Sequence, residues 1–447
     1  MKKAVRHLML ILLGFFLGGS LVFAGGENEI TTEQGREQQV VLQSIKVLHS
    51  WASTPNPETL EVIFNRFEEL NPQYKIDDNP IPFEEYTKMI KIIMPSKSPP
   101  DVIVHKPGSN TRAQIDAGLY LDLTDFWEEQ NFDSVLPEYA KGLWTRHGKI
   151  WGVPFKGQVL MVWYRPSIFK KVGLKAPTNW DEFKQVCAKL KNAGYVPLNA
   201  GDKNPWPATY WFEDILLMTA GKAFWDNLML GRAKWTDPRV IKAFEILKRD
   251  ILDPGYYMAN ANAYSYQEAS RNFGEGKAAI YNMGSWLPPR LWAVMPDVDM
   301  DYFLFPTIDS SVERTLRMQG DGWAIPRKAI NVQGAKDLIA FLSTKWAHVT
   351  FAANVGEPVL HKETTADLYP HPDELGAATL ERFKYNGVNP LDLGLEPIVA
   401  NEVQNLTAKF NENPDMESLM EDLKKIDEVA NKVFSDIEKK VAKGFWK

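Results

Sequence analysis

Four tryptophans stand beside turn formers. Trp51 follows the run Ile45-Lys46-Val47-Leu48-His49-Ser50, and Trp206 sits in Asn204-Pro205-Trp206-Pro207. Trp286 sits in Gly284-Ser285-Trp286-Leu287-Pro288, and Trp323 follows Gly320-Asp321-Gly322. An indole at a loop offers a flat apolar face that stacks on the C–H face of a sugar ring, while carboxylates and amides beside it take the hydroxyls. The same side chain also serves to plug the edge of a core. The chain holds 15 Trp, 15 Tyr and 23 Phe in 447 residues. Four such junctions favour a surface for a neutral, polar, flat ligand over four separate plugs.

Other chemistries lack their motifs. There is no phosphate-binding glycine loop, and Gly320-Asp321-Gly322 lacks the third glycine of a dinucleotide fingerprint. The seven His show no metal spacing, and HExxH and GxSxG are absent. Ser167-Ile168-Phe169-Lys170 matches SxxK without its companion motifs. No carboxylate pair stands out among 57 acidic residues, although such a pair needs no sequence signature. The single cysteine, Cys187, forms no intramolecular disulfide and builds no Cys-based metal site. It falls on the apolar stripe of a helix and reads as core. No cofactor is implied. The formal charge of −6 argues against nucleic acid as a partner, because phosphate binding needs a basic stripe.

The elements that must position the tryptophans follow from periodicity. Lys2, Lys3 and Arg6 precede an apolar run from Leu8 to Leu17, and Val22-Phe23-Ala24 precedes Gly25. This is the order of a signal peptide over 1–24, with a cleavage site before Gly25; a retained anchor is the other reading, but the run is short for a span. Residues 25–39 read as a flexible lead. A strand at Ile45–His49, a helix carrying Leu60, Ile63, Phe64 and Phe67, and strands at Tyr74–Ile76 and Pro100–Val104 give β-α-β-α order and a mostly parallel sheet. Further strands are expected at Val159–Tyr164, Ala278–Tyr281, Asp301–Phe305 (as a crossing strand) and Gly322–Pro326. Helices are expected after a Thr178/Asp181 capping pair, from Pro238, over Ala335–Trp346 with Trp346 packed, and at the end of the chain. The size suits two domains, and no linker separates them. The chain is therefore expected to cross between them on short strands.

In this setting the sequence resembles the extracellular solute-binding proteins of ABC importers, the group that includes sugar binders such as the maltose-binding protein. The resemblance rests on ordered pieces: Phe64 to Pro72 (FNRFEELNP), Pro100-Asp101-Val102-Ile103, Ala117 to Leu123, Gly148 to Pro154 (GKIWGVP), Trp163 to Phe169, Pro177 to Phe183, and Phe273 to Trp286 (FGEGKAAIYNMGSW). It implies an α/β, two-lobed periplasmic-binding-protein-like fold (type II), with lobe 1 over 40–155 plus 306–350 and lobe 2 over 156–305 plus 351–447. It also implies a ligand-binding set: Trp51, Glu84, Ser109, Asn110, Gln158, Asn204, Trp206, Trp286, Asp321 and Trp323. Gln158 stands where maltose binders carry a glutamate, which argues against assuming maltose.

The implied activity is capture of a mono- or oligosaccharide between closing lobes and its delivery to a membrane permease, without catalysis. The protein is expected to be an exported monomer, periplasmic or extracellular. Alternatives left open at this level are an exported carbohydrate-active enzyme with a Trp-lined cleft and a binder of another solute. His361 stands near a second hinge, or on the surface.

Overall fold

β-branched and leucine residues at Ile45, Val47 and Leu48 form β1 (Gln43–His49), all three buried. The computed structural model describes residues 42–53, 55–381 and 384–442. The expected signal peptide over 1–24 and lead over 25–39 lie outside the described residues. From Leu42 onward the chain clusters as one compact unit.

The remaining strands, in chain order, are β2 (Tyr74–Pro80), β3 (Val102–His105), β4 (Thr145–Arg146), β5 (Lys149–Ile150), β6 (Val153–Tyr164), β7 (Val196–Leu198), β8 (Ala278–Gly284), β9 (Asp301–Phe303), β10 (Thr315–Ala324) and β11 (Asn386–Val388). β4 and β5 make a small hairpin. The main sheet runs β2-β1-β3-β10-β6-β8-β7, with β11 on β10 and β9 on β6. β2, β1 and β3 are parallel, as βαβ crossovers require, because helices Asn56–Leu70 and Phe83–Ile93 connect them. β3, β10, β6 and β8 then alternate in direction.

The two long strands carry the chain between halves. β10 pairs with β3 through Gly322–Ala324 and with β6 from Met318 to Trp323, shifting register between Asp321 and Gly322. Such an irregularity bends a strand and re-aims its side chains. Residues 356–360 form a third crossing: the Gly157 amide donates to the Pro358 carbonyl at 2.9 Å, and the Leu360 amide to the Phe155 carbonyl at 2.9 Å. A side chain at Gly320 would collide with the Lys156 carbonyl, so glycine is needed where the strands lie closest.

Each half has its own core. Ile45, Val47, Leu60, Phe64, Phe67, Val102 and Val104 pack with Trp51, Phe155 and Trp323 in the first. Phe183, Cys187, Phe212, Leu216, Phe244, Ile280, Leu419 and Leu423 pack in the second. Cys187 is buried, and burial raises its thiol pKa well above the usual range. Trp163 is likewise buried.

Several expectations need correcting. The Asp301–Phe305 segment does not cross: β9 pairs with Val162–Tyr164 and stays beside the second-half strands. The helix expected over Ala335–Trp346 is two helices, Val332–Leu342 and Lys345–Val355. The Thr344 side chain accepts from the Ala347 amide and starts the second, which no spacing of apolar residues reveals. Trp346 is 43% exposed on that second helix rather than packed. The cap near Thr178 is Asn179, which accepts from the Glu182 amide, while the Glu182 carboxylate takes the Thr178 amide and hydroxyl. The expected boundary at 350/351 falls inside helix Lys345–Val355. Phe351, Ala352, Val355, Val359 and Leu360 all pack in the first-half core. His361 is buried, and desolvation lowers its pKa.

Candidate functional site

The crossing strands place one polar cluster between the halves. Lys156 on β6 is fully buried beneath Trp51, its Nζ 3.6 Å from the ring centre and 4.6 Å from that of Phe351. It donates to Asn56 Oδ1 at 3.0 Å and to Glu357 Oε2 at 2.9 Å. Arg290 closes the other side of Glu357, with Nη2 3.1 Å from Oε1. Gln158 Nε2 donates to Glu357 Oε2 at 3.0 Å and Gln158 Oε1 accepts from Gln319 at 3.0 Å. Burial lowers the Lys156 pKa to about 8, against the pull of Glu357. Burial alone would raise the Glu357 pKa, but Lys156 and Arg290 together hold it down to about 2. The cluster joins all three crossing segments: β6 through Lys156 and Gln158, β10 through Gln319, and 356–360 through Glu357.

Trp51 is committed on several sides. Its Nε1 donates to Asp321 Oδ2 at 2.9 Å, Lys156 covers its ring, and Phe155 and Trp323 pack at 5.8 and 5.2 Å between centroids. Trp51 therefore orients Asp321, whose Oδ1 is shielded from solvent and has no hydrogen-bond partner. Trp323 is completely buried in the same core. The four indoles thus form two pairs. Trp51 and Trp323 pack in the first half, and Trp206 and Trp286 meet in the second at 6.3 Å between centroids.

The second pair has a built aromatic surround. Tyr210 and Tyr266 stand 5.6 and 5.3 Å from Trp206. The Trp206 Nε1 is shielded from solvent without a partner. Trp286 lies against Gly284, where any Cβ would run into the indole, so the sequence Gly-Ser-Trp is a packing requirement. Lys106, from the segment after β3, holds its Nζ 5.7 Å from the Trp286 ring centre and 5.2 Å from that of Phe83.

First-half residues meet this surface directly. Asn204 Nδ2 donates to Glu84 Oε1 at 3.2 Å, while Asn204 Oδ1 accepts from the Tyr266 amide at 3.0 Å. The buried Ser109 donates through Oγ to the Asp392 carbonyl at 3.5 Å. Asn110, the next residue on helix Ser109–Asp116, is exposed and is not drawn into the group. Sequence reasoning missed Lys106, Lys156, Arg290, Glu357 and Asp392. Lys156 and Gln158 inside an apolar strand were a signal that buried partners exist. Glu357 lies 201 residues away in sequence, so spacing cannot supply it.

A second buried charge group braces the aromatic pair from behind. Arg317 on β10 donates to Asp214 at 2.6 Å and Glu213 at 3.2 Å, and its guanidinium lies 4.3 Å from the Tyr210 ring centre. Burial raises the Glu213 pKa to about 7, against Arg317. Among the described residues no group of His, Cys, Asp and Glu is placed to hold a metal ion, and no helix is long and apolar enough to cross a membrane. Of the four indoles, Trp51, Trp286 and Trp323 are buried and Trp206 is half-buried; the half-buried indole and the unpartnered Trp206 Nε1 and Asp321 Oδ1 are a set suited to binding an uncharged polyhydroxylated molecule.

Comparison with known proteins agrees in fold. A profile of bacterial extracellular solute-binding proteins matches residues 51–347. A multiple sugar-binding protein of Streptococcus mutans is 23% identical over 364 residues, covering 80% of this chain and 83% of that protein. The alpha-glucosides-binding periplasmic protein AglE of Rhizobium meliloti is 27% identical over 345 residues, covering 70% and 73%. Among solved structures, the bacterial solute receptor AcbH, described as preferring β-D-galactopyranose, aligns with a TM-score of 0.80 at 22% identity, covering 88% of this chain and 99% of that one.

Proposed function

Because the chain belongs to the bacterial extracellular solute-binding proteins, we propose that it captures a carbohydrate between its two lobes for an ABC transporter, with no covalent step. The supporting observation is the pairing of Trp206 with Trp286 in one lobe beneath groups of the other: Lys106 lies over the Trp286 ring, and Glu84 accepts from Asn204, two residues before Trp206. A sugar ring lying against the half-buried Trp206, which Trp286 backs, removes apolar surface from water on both sides. Its hydroxyls satisfy shielded atoms that now lack partners, Trp206 Nε1 and Asp321 Oδ1. An unmade buried hydrogen bond costs about 1–3 kcal/mol, so the ligand relieves a standing penalty and the closed arrangement gains what the open one cannot. The crossing segments at Lys156, Gly320 and Glu357 serve as the hinge.

In this reading the protein is exported, its first 24 residues are a cleaved signal, and the closed form docks on a membrane permease. The ten residues named from the sequence then divide by task. Trp206, Trp286, Asn204, Glu84, Ser109 and Asp321 face the ligand. Trp51, Gln158 and Trp323 hold the hinge and the first-lobe face in place, and Asn110 stands outside. A thermal-shift screen of the protein without residues 1–24 against mono-, di- and trisaccharides tests it. Saturating ligand at a hundredfold over Kd stabilises by about 2.7 kcal/mol. At least one neutral saccharide is expected to raise the melting temperature; a flat response across the panel, with the folded protein confirmed by circular dichroism, overturns the reading.

A further inference from the structure

We propose that the carboxylate of Asp392 is a hydroxyl-reading group of the cleft, an inference that rests on the carbohydrate reading and extends it to a residue outside the predicted set. Asp392 lies in the segment 389–394, whose last four residues, Leu391–Gly394, form one helical turn, between β11 and the helix Pro397–Glu412. The segment is clamped from both lobes. On one side the Ser109 hydroxyl donates to the Asp392 carbonyl, and Arg112 Nη2 donates to the Gly394 carbonyl at 2.6 Å. On the other, the Leu391 amide donates to Glu213 Oε2 at 3.2 Å. A backbone held this way pre-sets the direction of the side chain, which is what a selective site needs.

The carboxylate itself is unfinished. The amides of Asp392 and Leu393 support it, yet Oδ1 is shielded from water and has no partner. Asn389, at the other end of the same segment, also carries a shielded Oδ1 without a partner and borders a cavity of about 150 Å³. Both orphan atoms accept hydrogen bonds and donate none, so the missing group is a donor. Geometry ties the segment that carries Asp392 to the indole pair through Glu213. Its carboxylate accepts from the Leu391 amide and lies within hydrogen-bond reach of Thr209 Oγ1, which is also 3.0 Å from the Trp206 carbonyl. In the proposed mode a ligand stacked on the indole pair lies beside the Asp392 carboxylate. An acceptor-only carboxylate suits hydroxyl donors and repels an anionic group brought against it.

The test is calorimetry on wild type, Asp392→Ala and Asp392→Asn. Glucose, galactose, maltose, trehalose and raffinose are titrated first, and then the singly deoxygenated analogues of the sugar bound best. One deoxy analogue is expected to bind wild type about ten- to a hundredfold more weakly than its parent, and that ratio is expected to fall to within about twofold in Asp392→Ala. A residue that merely supports the fold would weaken parent and analogue alike and leave the ratio unchanged. Should Asp392→Ala not fold, the ratio is read on Asp392→Asn, which keeps the side-chain shape. Unaltered parent affinity, or an unaltered ratio for every analogue, overturns the role of Asp392 while leaving the carbohydrate reading intact. If wild type binds none of the five sugars, the carbohydrate reading itself is overturned, and this role with it.

Discussion

Removing the ammonium of Lys156 isolates the hinge cluster from the ligand surface. In Lys156→Met the buried Glu357 loses a partner at 2.9 Å but keeps Arg290 at 3.1 Å and Gln158 at 3.0 Å. Breaking a buried pair by deleting one member costs about 3–5 kcal/mol, and the remaining partners put this variant near about 3 kcal/mol. Methionine retains the apolar contact with Trp51 and Phe351 and forgoes the cation–ring attraction. Glu357→Gln is the harsher change, because Lys156 and Arg290 are then left without their anion, and about 4–5 kcal/mol is expected. Lys156, its pKa already depressed to about 8, can shed its proton and so caps that cost. The double variant leaves no buried Lys–Glu pair and is expected to be at least about 1 kcal/mol more stable than the sum of the singles implies. Urea unfolding followed by circular dichroism, in the absence of sugar, gives all three values. A loss below about 1 kcal/mol in Lys156→Met, or strict additivity in the double variant, would refute the view that this cluster ties the crossing segments together.

Three further outcomes follow from the same geometry. Trp286→Ala is expected to weaken sugar binding at least about tenfold by calorimetry and, because the indole is buried among Tyr210, Tyr266 and Leu287, to lower stability by about 3–5 kcal/mol in urea unfolding. Gly284→Ala places a methyl where the Trp286 indole lies, so it is expected to reduce sugar affinity comparably without touching the ligand, and altered Trp fluorescence of the free protein should accompany it. In acid, Glu357 is held at about 2 against an ordinary 4.5. Its contribution, about 3 kcal/mol, is present above pH 4.5 and is lost as pH falls toward 2. Glu357→Gln is therefore expected to flatten the pH dependence of stability across that window in a urea series.

Much of the frame was legible from periodicity. The first strands and helices carry apolar residues at spacings of two and 3.6, so β1, the helix Asn56–Leu70 and the order of the first lobe follow from local pattern. The long strands were read short because the polar residues inside them, Lys156, Gln158, Arg317 and Asp321, look like strand ends. Each is buried with a partner far away in sequence. The break at Ser343–Thr344 depends on one hydroxyl cap, and the noncrossing of β9 depends on pairing with β6; neither has a periodic signal. Loop tryptophans were readable as a class, but their division was not. Trp286 is flagged by the glycine it needs, whereas Trp51 and Trp323 are drawn into the core by Phe155 and Phe351, residues that only the fold brings beside them.

The most direct measurement is a calorimetric titration of neutral saccharides into the folded protein lacking residues 1–24, repeated at several temperatures. Capture between indoles and shielded polar atoms predicts one site per chain and a negative heat-capacity change as the lobes bury the ligand. Absence of saturable heat with every saccharide, or release of modified product during the titration, would contradict it.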